Sequence, residues 1–284
     1  MVKLDNGNNI NNSMDILLGK LKDDSNAYKN LKTSCLGIKE KKKVIRSLMN
    51  IRMPGNIPEG LLRIQDSYLQ NELENKGIVS LDDIPVVEKQ YNSNIPHADK
   101  ISLWQGDITR LRTGAIVNAA NSQMLGCFVP CHACIDNAIH SAAGLQLREE
   151  CNNIMEEKRQ QNGRQYQEQT GTAVLTKAYN LPCSYVIHTV GPIVYNGLDQ
   201  ELCQDLRNCY RSVLECCVTN RIKSVAFCCI STGEFHFPND KAAEIALETV
   251  LSFLDIYSNS LDRVVFNVFK DNDREIYENL IIAG

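Results

Sequence analysis

Ser224-Val225-Ala226-Phe227-Cys228-Cys229-Ile230-Ser231-Thr232-Gly233-Glu234-Phe235-His236-Phe237-Pro238 is the stretch that decides the fold. From Val225 to Ile230 it is nearly all apolar, as a central strand covered on both faces must be. Cys228 and Cys229 read here as small buried hydrophobes. Beyond Ile230 the chain turns polar and leads into a helical pattern. In open α/β sheets ligands collect in this place, outside the carboxyl ends of the strands. The backbone N–H groups of Ser231-Thr232-Gly233 can face an anion, with Gly233 allowing close approach and no lysine required. Taken alone, the triplet fits an ordinary capping turn slightly better.

Outward from this stretch, strand-like segments lie at Ile101–Trp104, Ala115–Asn118, Ala173–Lys177, Tyr185–Thr189, Ser224–Ile230 and Arg263–Phe269. Helical patterns alternate with them at about 134–160, 201–220, 239–257 and 271–282. Strands and helices in alternation build an α/β layered domain with a largely buried sheet. Four strands end in polar or glycine-containing turns: Gly106-Asp107-Ile108-Thr109, Asn118-Ala119-Ala120-Asn121, Ser231–Pro238, and Phe269-Lys270-Asp271-Asn272-Asp273. Asp107 can accept a hydrogen bond from an exocyclic amine, or serve as one half of a common Gly-Asp turn. Phe269 can stack on a base, although a core aromatic is the commoner role. Asn118 and Asn121 can bind ribose hydroxyls as mixed donors and acceptors. Together these ends describe a pocket for adenine, diphosphate and ribose.

The chain divides near residue 95. Residues 96–284 carry the α/β domain, and residues 1–95 read as a helical extension whose Asn-rich first 12 residues are expected to be mobile. Apolar residues recur at helical spacing in Val44, Leu48 and Ile51 and again in Leu61, Ile64, Leu69 and Leu73. Lys41–Lys43 reads as a solvated helix face. No apolar run approaches the roughly 20 residues of a membrane helix, and the N-terminus has no signal core. A net charge of −4 argues against general nucleic-acid binding. The 12 cysteines occur as adjacent pairs and inside apolar runs, not as a disulfide framework in a short secreted chain. A reduced, cytoplasmic setting follows as the expectation.

Between Gly126 and Asn137 the chain reads Gly-Cys-Phe-Val-Pro-Cys-His-Ala-Cys-Ile-Asp-Asn. Thiolate and imidazole are ligands zinc prefers, and Cys127, Cys131, His132 and Cys134 are four candidates within one loop. Pro130-Cys131-His132-Ala133-Cys134 also matches the Pro-Cys-x-x-Cys of zinc deaminases, which need an upstream His- or Cys-x-Glu. The upstream candidate here is His97-Ala98-Asp99, and no glutamate occurs between Glu88 and Glu149. The deaminase reading fails.

Gly106-Asp107-Ile108-Thr109, Asn118-Ala119-Ala120-Asn121, Ile139-His140-Ser141-Ala142-Ala143-Gly144, His188-Thr189-Val190-Gly191-Pro192 and Ser231-Thr232-Gly233 to Pro238 together resemble the macrodomain pattern, in its order and over about residues 97–284. The resemblance implies a three-layer α/β/α fold around a mixed sheet, and ADP-ribose as ligand. It implies Asp107 near adenine, Asn121 on the distal ribose, Ser231, Thr232, Gly233, Glu234 and Phe235 around the phosphates, and Phe269 beside the adenine ring, with Ile108 and Asn118 also counted as ADP-ribose-binding.

One departure stands out. The glycine run that hydrolytic macrodomains carry is replaced by the Cys/His segment, which resembles a zinc-containing branch of the family with a helical N-terminal extension. That branch implies one zinc ion per chain on Cys127, His132 and Cys134, with Cys131 unliganded. It also implies a link to sirtuin-type ADP-ribosyltransferases. Three ligands on tetrahedral zinc leave one position open, as in catalytic sites. Asp136 then acts with Asn121 at the anomeric carbon of the distal ribose, or is an early-helix carboxylate favoured by the helix dipole. His140, one turn beyond, can touch Asp136; it and His188 read as packed histidines and not as ligands. The function expected is a zinc-dependent hydrolase that removes mono-ADP-ribose from modified proteins. The alternative is an ADP-ribose reader with a structural zinc.

Overall fold

A computed structural model describes residues 6–283, with side chains from Ser13 onward. The expectation of mobility for the first 12 residues falls partly on residues 1–5, outside the described residues; residues 6–12 open a helix. That helix is α1 (Asn6–Asp23), followed by α2 (Ile38–Ile51), α3 (Glu59–Lys76), the two-residue strand β1 (Val79–Ser80) and α4 (Val87–Tyr91). Then come β2 (Ile101–Gln105), the short β3 (Leu111–Arg112), β4 (Ala115–Ala120), α5 (Ile135–Ala143), α6 (Leu145–Asn162), β5 (Ala173–Lys177) and β6 (Tyr185–Val190). The chain closes with α7 (Gln200–Thr219), β7 (Ser224–Phe227), α8 (Asn239–Tyr257), β8 (Arg263–Val268) and α9 (Asp271–Ala283).

Six strands form one sheet in the order β2-β8-β7-β4-β6-β5. All neighbours are parallel except β5, which runs antiparallel to β6, so the sheet is mixed. Helices α7, α8 and α9 pack on one another as one layer, and α5 and α6 pair as the other. The strands read as apolar runs because both faces are covered: Ile116, Val117, Val186, Ile187, Val225, Ala226, Val264 and Val265 are all fully buried. In the register of β4 and β6, Asn118 lies beside His188. Two polar side chains therefore sit side by side within an apolar sheet.

Two boundaries differ from the sequence reading. The helical pattern at 134–160 is two helices, because Gly144 sits at φ +99, where side chains are strained, and a Cβ there would come within 2.7 Å of Gln65 and Gln146. The segment Ser224–Ile230 leaves the ladder after Phe227, although Cys228 and Ile230 stay buried as the strand becomes a turn.

The N-terminal helices have a core of their own. Met14, Leu17, Leu18, Leu21, Ile45, Leu48, Met49, Leu61, Tyr68 and Leu69 pack together with Leu145 of α6. Ile84, Val87 and Ile95 instead join the larger core, and β1 pairs with β3. The larger unit thus begins before residue 95. Of the Lys41–Lys43 run only Lys43 is exposed; Lys41 and Lys42 are half-buried, tied to their neighbours by Lys41–Asp15 and Lys42–Glu72 ion pairs at 2.6 and 2.7 Å. Among the described residues, no helix is long and apolar enough to cross a membrane.

Arg148 of α6 holds the two units together. Its buried guanidinium donates to Leu125 O at 2.7 Å and to the carbonyls of Met49, Asn50 and Arg52 at 3.0, 2.8 and 2.6 Å, satisfying the C-terminal end of α2. It also lies over the Phe128 ring, 4.3 Å from the centroid. Arg148→Ala leaves four carbonyls without this donor, and urea unfolding is expected to show a loss on the order of 3 kcal/mol. The Lys42→Ala change, at a surface pair, is expected to cost under about 1 kcal/mol.

Candidate active site

Because the strands are parallel, the carboxyl ends of β2, β4, β7 and β8 open on one rim. A cleft of about 940 Å³ runs along it, lined at successive points by Asp107 and Ile108, Asn121, Cys134 and Asp136, Ser231 to Phe235, and Phe269. Every ligand-contact residue expected from sequence lines this cleft except Asn118.

At the β2 end, Asp107 caps a short turn, its Oδ1 accepting from Thr109 N at 3.0 Å and Thr109 Oγ1 at 2.6 Å. Its Oδ2 faces Lys76 Nζ at 3.4 Å. Burial works to raise its pKa, but the Thr109 hydrogen bonds and the Lys76 charge together hold it below the ordinary value. Phe269, with 75% exposure, is no core residue and presents its ring beside the cleft.

At the β7 end, Ser231 (φ +65) and His236 (φ +55) take positive φ, and Gly233 does not. A Cβ on Gly233 would meet no protein atom within 4 Å, so the space beside it is open. Phe237 N donates to Ser231 O and Val194 N to Phe235 O, which pins the loop at both ends. The N–H groups of Gly233, Glu234 and Phe235 donate to no protein acceptor among the described residues. Such a turn suits an anion. His236 is exposed and lies outside the cleft lining.

Asp136 lies in the first turn of α5 and is buried. Its Oδ1 accepts from Asn118 Nδ2 at 2.8 Å and its Oδ2 from Asn121 Nδ2 at 3.3 Å. Burial raises the carboxyl to about 6, against the lowering by the Asn118 hydrogen bond and the Arg148 charge. Asn118 is fully buried beneath the cleft floor, so its expected ribose contact is corrected to a support for Asp136. His188 is likewise fully buried; its Nδ1 is 3.0 Å from Asn118 Nδ2 and its Nε2 is 2.9 Å from Thr176 Oγ1. Burial lowers the His188 pKa to about 3, so the ring is neutral. A neutral ring that accepts at Nδ1 donates from Nε2 to Thr176, which fixes the amide of Asn118 with its NH2 toward Asp136. His140 Nε2 is 3.5 Å from Asp136 Oδ1. Burial holds this histidine far below its ordinary pKa, so the contact is not an ion pair.

Cys127, His132 and Cys134 bring their ligand atoms within 4.8 Å of one another. Cys134 is the N-cap of α5, with Sγ 3.4 Å from Asn137 N. Burial, with added repulsion from Cys127 and Asp136, pushes its thiol up to about 12. His132 Nδ1 is buried and has no hydrogen-bond partner among the described residues. An orphaned imidazole nitrogen beside two thiols is a donor set that a metal cation satisfies, since the cation also stabilises the thiolates. Cys131 faces the other way, its Sγ 3.3 Å from Ser47 Oγ and 3.4 Å from Lys43 O.

Sequence reasoning did not find the second wall of the cleft. Lys42, Arg46, Tyr68, Leu69, Leu73 and Lys76, all from α2 and α3, line it opposite the strand ends.

With the geometry in place, comparison with known proteins is direct. The Macro domain model matches residues 117–246. A Treponema medium protein named "Protein-ADP-ribose hydrolase" is 48% identical over 242 residues, covering 85% of this chain and 88% of that one. The chain belongs to the macrodomain family. A Fusarium oxysporum f. sp. cubense protein named "Probable bifunctional ADP-ribose hydrolase/ADP-ribosyltransferase" is 41% identical over 253 residues, spanning 84% of this chain and 40% of that one. The crystal structure of the Trypanosoma brucei macrodomain in complex with ADP-ribose has a TM-score of 0.62 at 29% identity, covering 83% of this chain and 94% of that one.

In this macrodomain Gly126 (φ +78) lets the Cys/His loop lie against the His140 ring, where a Cβ would come within 2.8 Å of Cγ. Gly126→Ala adds both backbone strain and this contact. It is expected to destabilise the fold by about 2 kcal/mol, read as a lowered midpoint in thermal unfolding followed by circular dichroism.

Proposed function

We propose that this macrodomain is a protein-ADP-ribose hydrolase that removes mono-ADP-ribose from modified proteins with a zinc ion held by Cys127, His132 and Cys134. The observation that carries the reading is the buried Asp136 carboxylate, held by two asparagine amides beside this ligand set in a cleft that also holds a turn of backbone N–H groups unpartnered among the described residues. The relatives named as protein-ADP-ribose hydrolases support the activity.

The protein's own residues divide the work. The turn from Ser231 to Phe235 takes the diphosphate on backbone N–H groups, Phe269 stacks on adenine, and Asp107 offers Oδ2 to its exocyclic amine. Asn121 and Asp136 then stand at the distal ribose. Asp136 orients a water molecule and accepts its proton as the oxygen attacks the anomeric carbon. The bond from that carbon to the modified side chain breaks, the side chain takes up a proton from solvent, and Asp136 returns its own proton to solvent. Asn118 and Asn121 keep both carboxylate oxygens in place throughout. Zinc held by Cys127, His132 and Cys134 would supply Lewis acidity at the distal ribose. The Fusarium relative whose name pairs hydrolase and ADP-ribosyltransferase supports the further proposal that an ADP-ribosyltransferase makes the modification removed here, and we propose that it is of the sirtuin type.

The test is release of ADP-ribose from a mono-ADP-ribosylated protein. Asp136→Asn is expected to lower kcat at least about 100-fold while ADP-ribose still binds in calorimetry. ADP-ribose binding without turnover by the unaltered protein, on every linkage tried, makes it a reader instead. Phe269→Ala is expected to weaken ADP-ribose binding about tenfold, or ~1.4 kcal/mol, with no change in the unfolding midpoint, because the ring is exposed.

A further inference from the structure

The Cys/His loop is not held by the macrodomain alone. We infer that Arg46, on the N-terminal helix α2, is a positioning residue for the metal centre, so that the helical extension is the second half of that centre and not an appendage to it. The inference rests on the zinc reading above. Arg46 Nη2 donates to His132 O at 3.1 Å and to Asn137 Oδ1 at 2.6 Å, and Nε donates to the same Oδ1 at 3.1 Å. Asn137 is fully buried and passes this hold on: its Nδ2 donates to Val129 O at 2.9 Å and to Cys127 O at 3.3 Å. One guanidinium thus fixes the carbonyls of two ligand-bearing residues, His132 directly and Cys127 through Asn137. One helical turn on, Asn50 Oδ1 accepts from Cys131 N at 2.9 Å. Cys131 sits at φ +53, so the loop adopts a left-handed turn at the point where α2 grips it.

The hydrogen bonds run between residues 81 to 91 positions apart, and they replace what a stiffer loop would otherwise supply. A ligand set on an unheld loop must lose conformational freedom as it closes on the ion. A held set has lost it on folding. Partners outside the ligands themselves typically change metal affinity by 10- to 100-fold.

The experiment measures zinc affinity of the full chain by competition with a chromophoric chelator, with no turnover involved. Arg46→Met is expected to bind zinc roughly 10- to 100-fold more weakly than the unaltered protein. Arg46→Lys, which keeps the charge but loses the fork, is expected to fall between them. Lys41→Met removes an ion pair to α1 on the same helix and is expected to leave zinc affinity unchanged. It separates loosening of the bundle from loss of the grip on the loop. If unaltered protein binds zinc and both Arg46 variants match it within about twofold, the assignment is overturned while the zinc reading stands. If the unaltered protein takes up no zinc, the zinc reading falls and this assignment with it. Should Arg46→Met fail to fold, the Arg46→Lys comparison decides alone.

Discussion

Cys134 is at once the last residue of the Cys/His loop and the N-cap of α5, and the site depends on that double position. Helix geometry fixes everything that follows. Asp136 is two residues on and turns into the cleft floor. Asn137, three residues on, turns back under the loop, and His140 packs beneath Gly126. Because Cys134 and Asp136 share the first turn of α5, that ligand and the carboxylate have a fixed spacing. A loop that ended in a flexible turn would leave their spacing undefined.

Around this point the chain arranges buried polar groups that are satisfied one by another. Thr176, His188 and Asn118 form a line within the sheet that ends on the Asp136 carboxylate. Such networks cost stability when half-made and fix a single geometry when complete. Here the completeness is local. The Asp136 oxygens are both held, while Asn118 Oδ1, both ring nitrogens of His140 and His132 Nδ1 have no hydrogen-bond partner among the described residues.

Much of the fold was legible because buried parallel strands announce themselves as apolar runs, and helices as periodic ones. Val225–Phe227 and Asn239–Tyr257 needed no other signal. The polar strand ends then pointed to one rim. Less could be read where geometry departs from periodicity. The apolar pattern carries across Gly144 without a gap, so α5 and α6 looked continuous. Asn118 and Asn121 looked alike as carboxamides near a strand end, yet strand alternation turns Asn118 under the floor and leaves Asn121 at the cleft. The open space beside Gly233 fits its reading as a point of close approach, whereas the positive φ of Ser231 has no sequence signature. The grip of Arg46 on Asn137 spans 91 positions, and no local pattern foreshadows a contact of that range. For the same reason α2 and α3 read as an extension, although they wall the cleft.

The central claim is that a metal ion and Asp136 act as one unit at the distal-ribose end of the cleft. Its most direct test is metal analysis of the purified chain joined to turnover. Protein stripped by a chelator should release no ADP-ribose from a mono-ADP-ribosylated substrate, and activity should return in proportion to zinc and level off at one equivalent per chain. Undiminished release by protein shown to be free of metal would contradict the account.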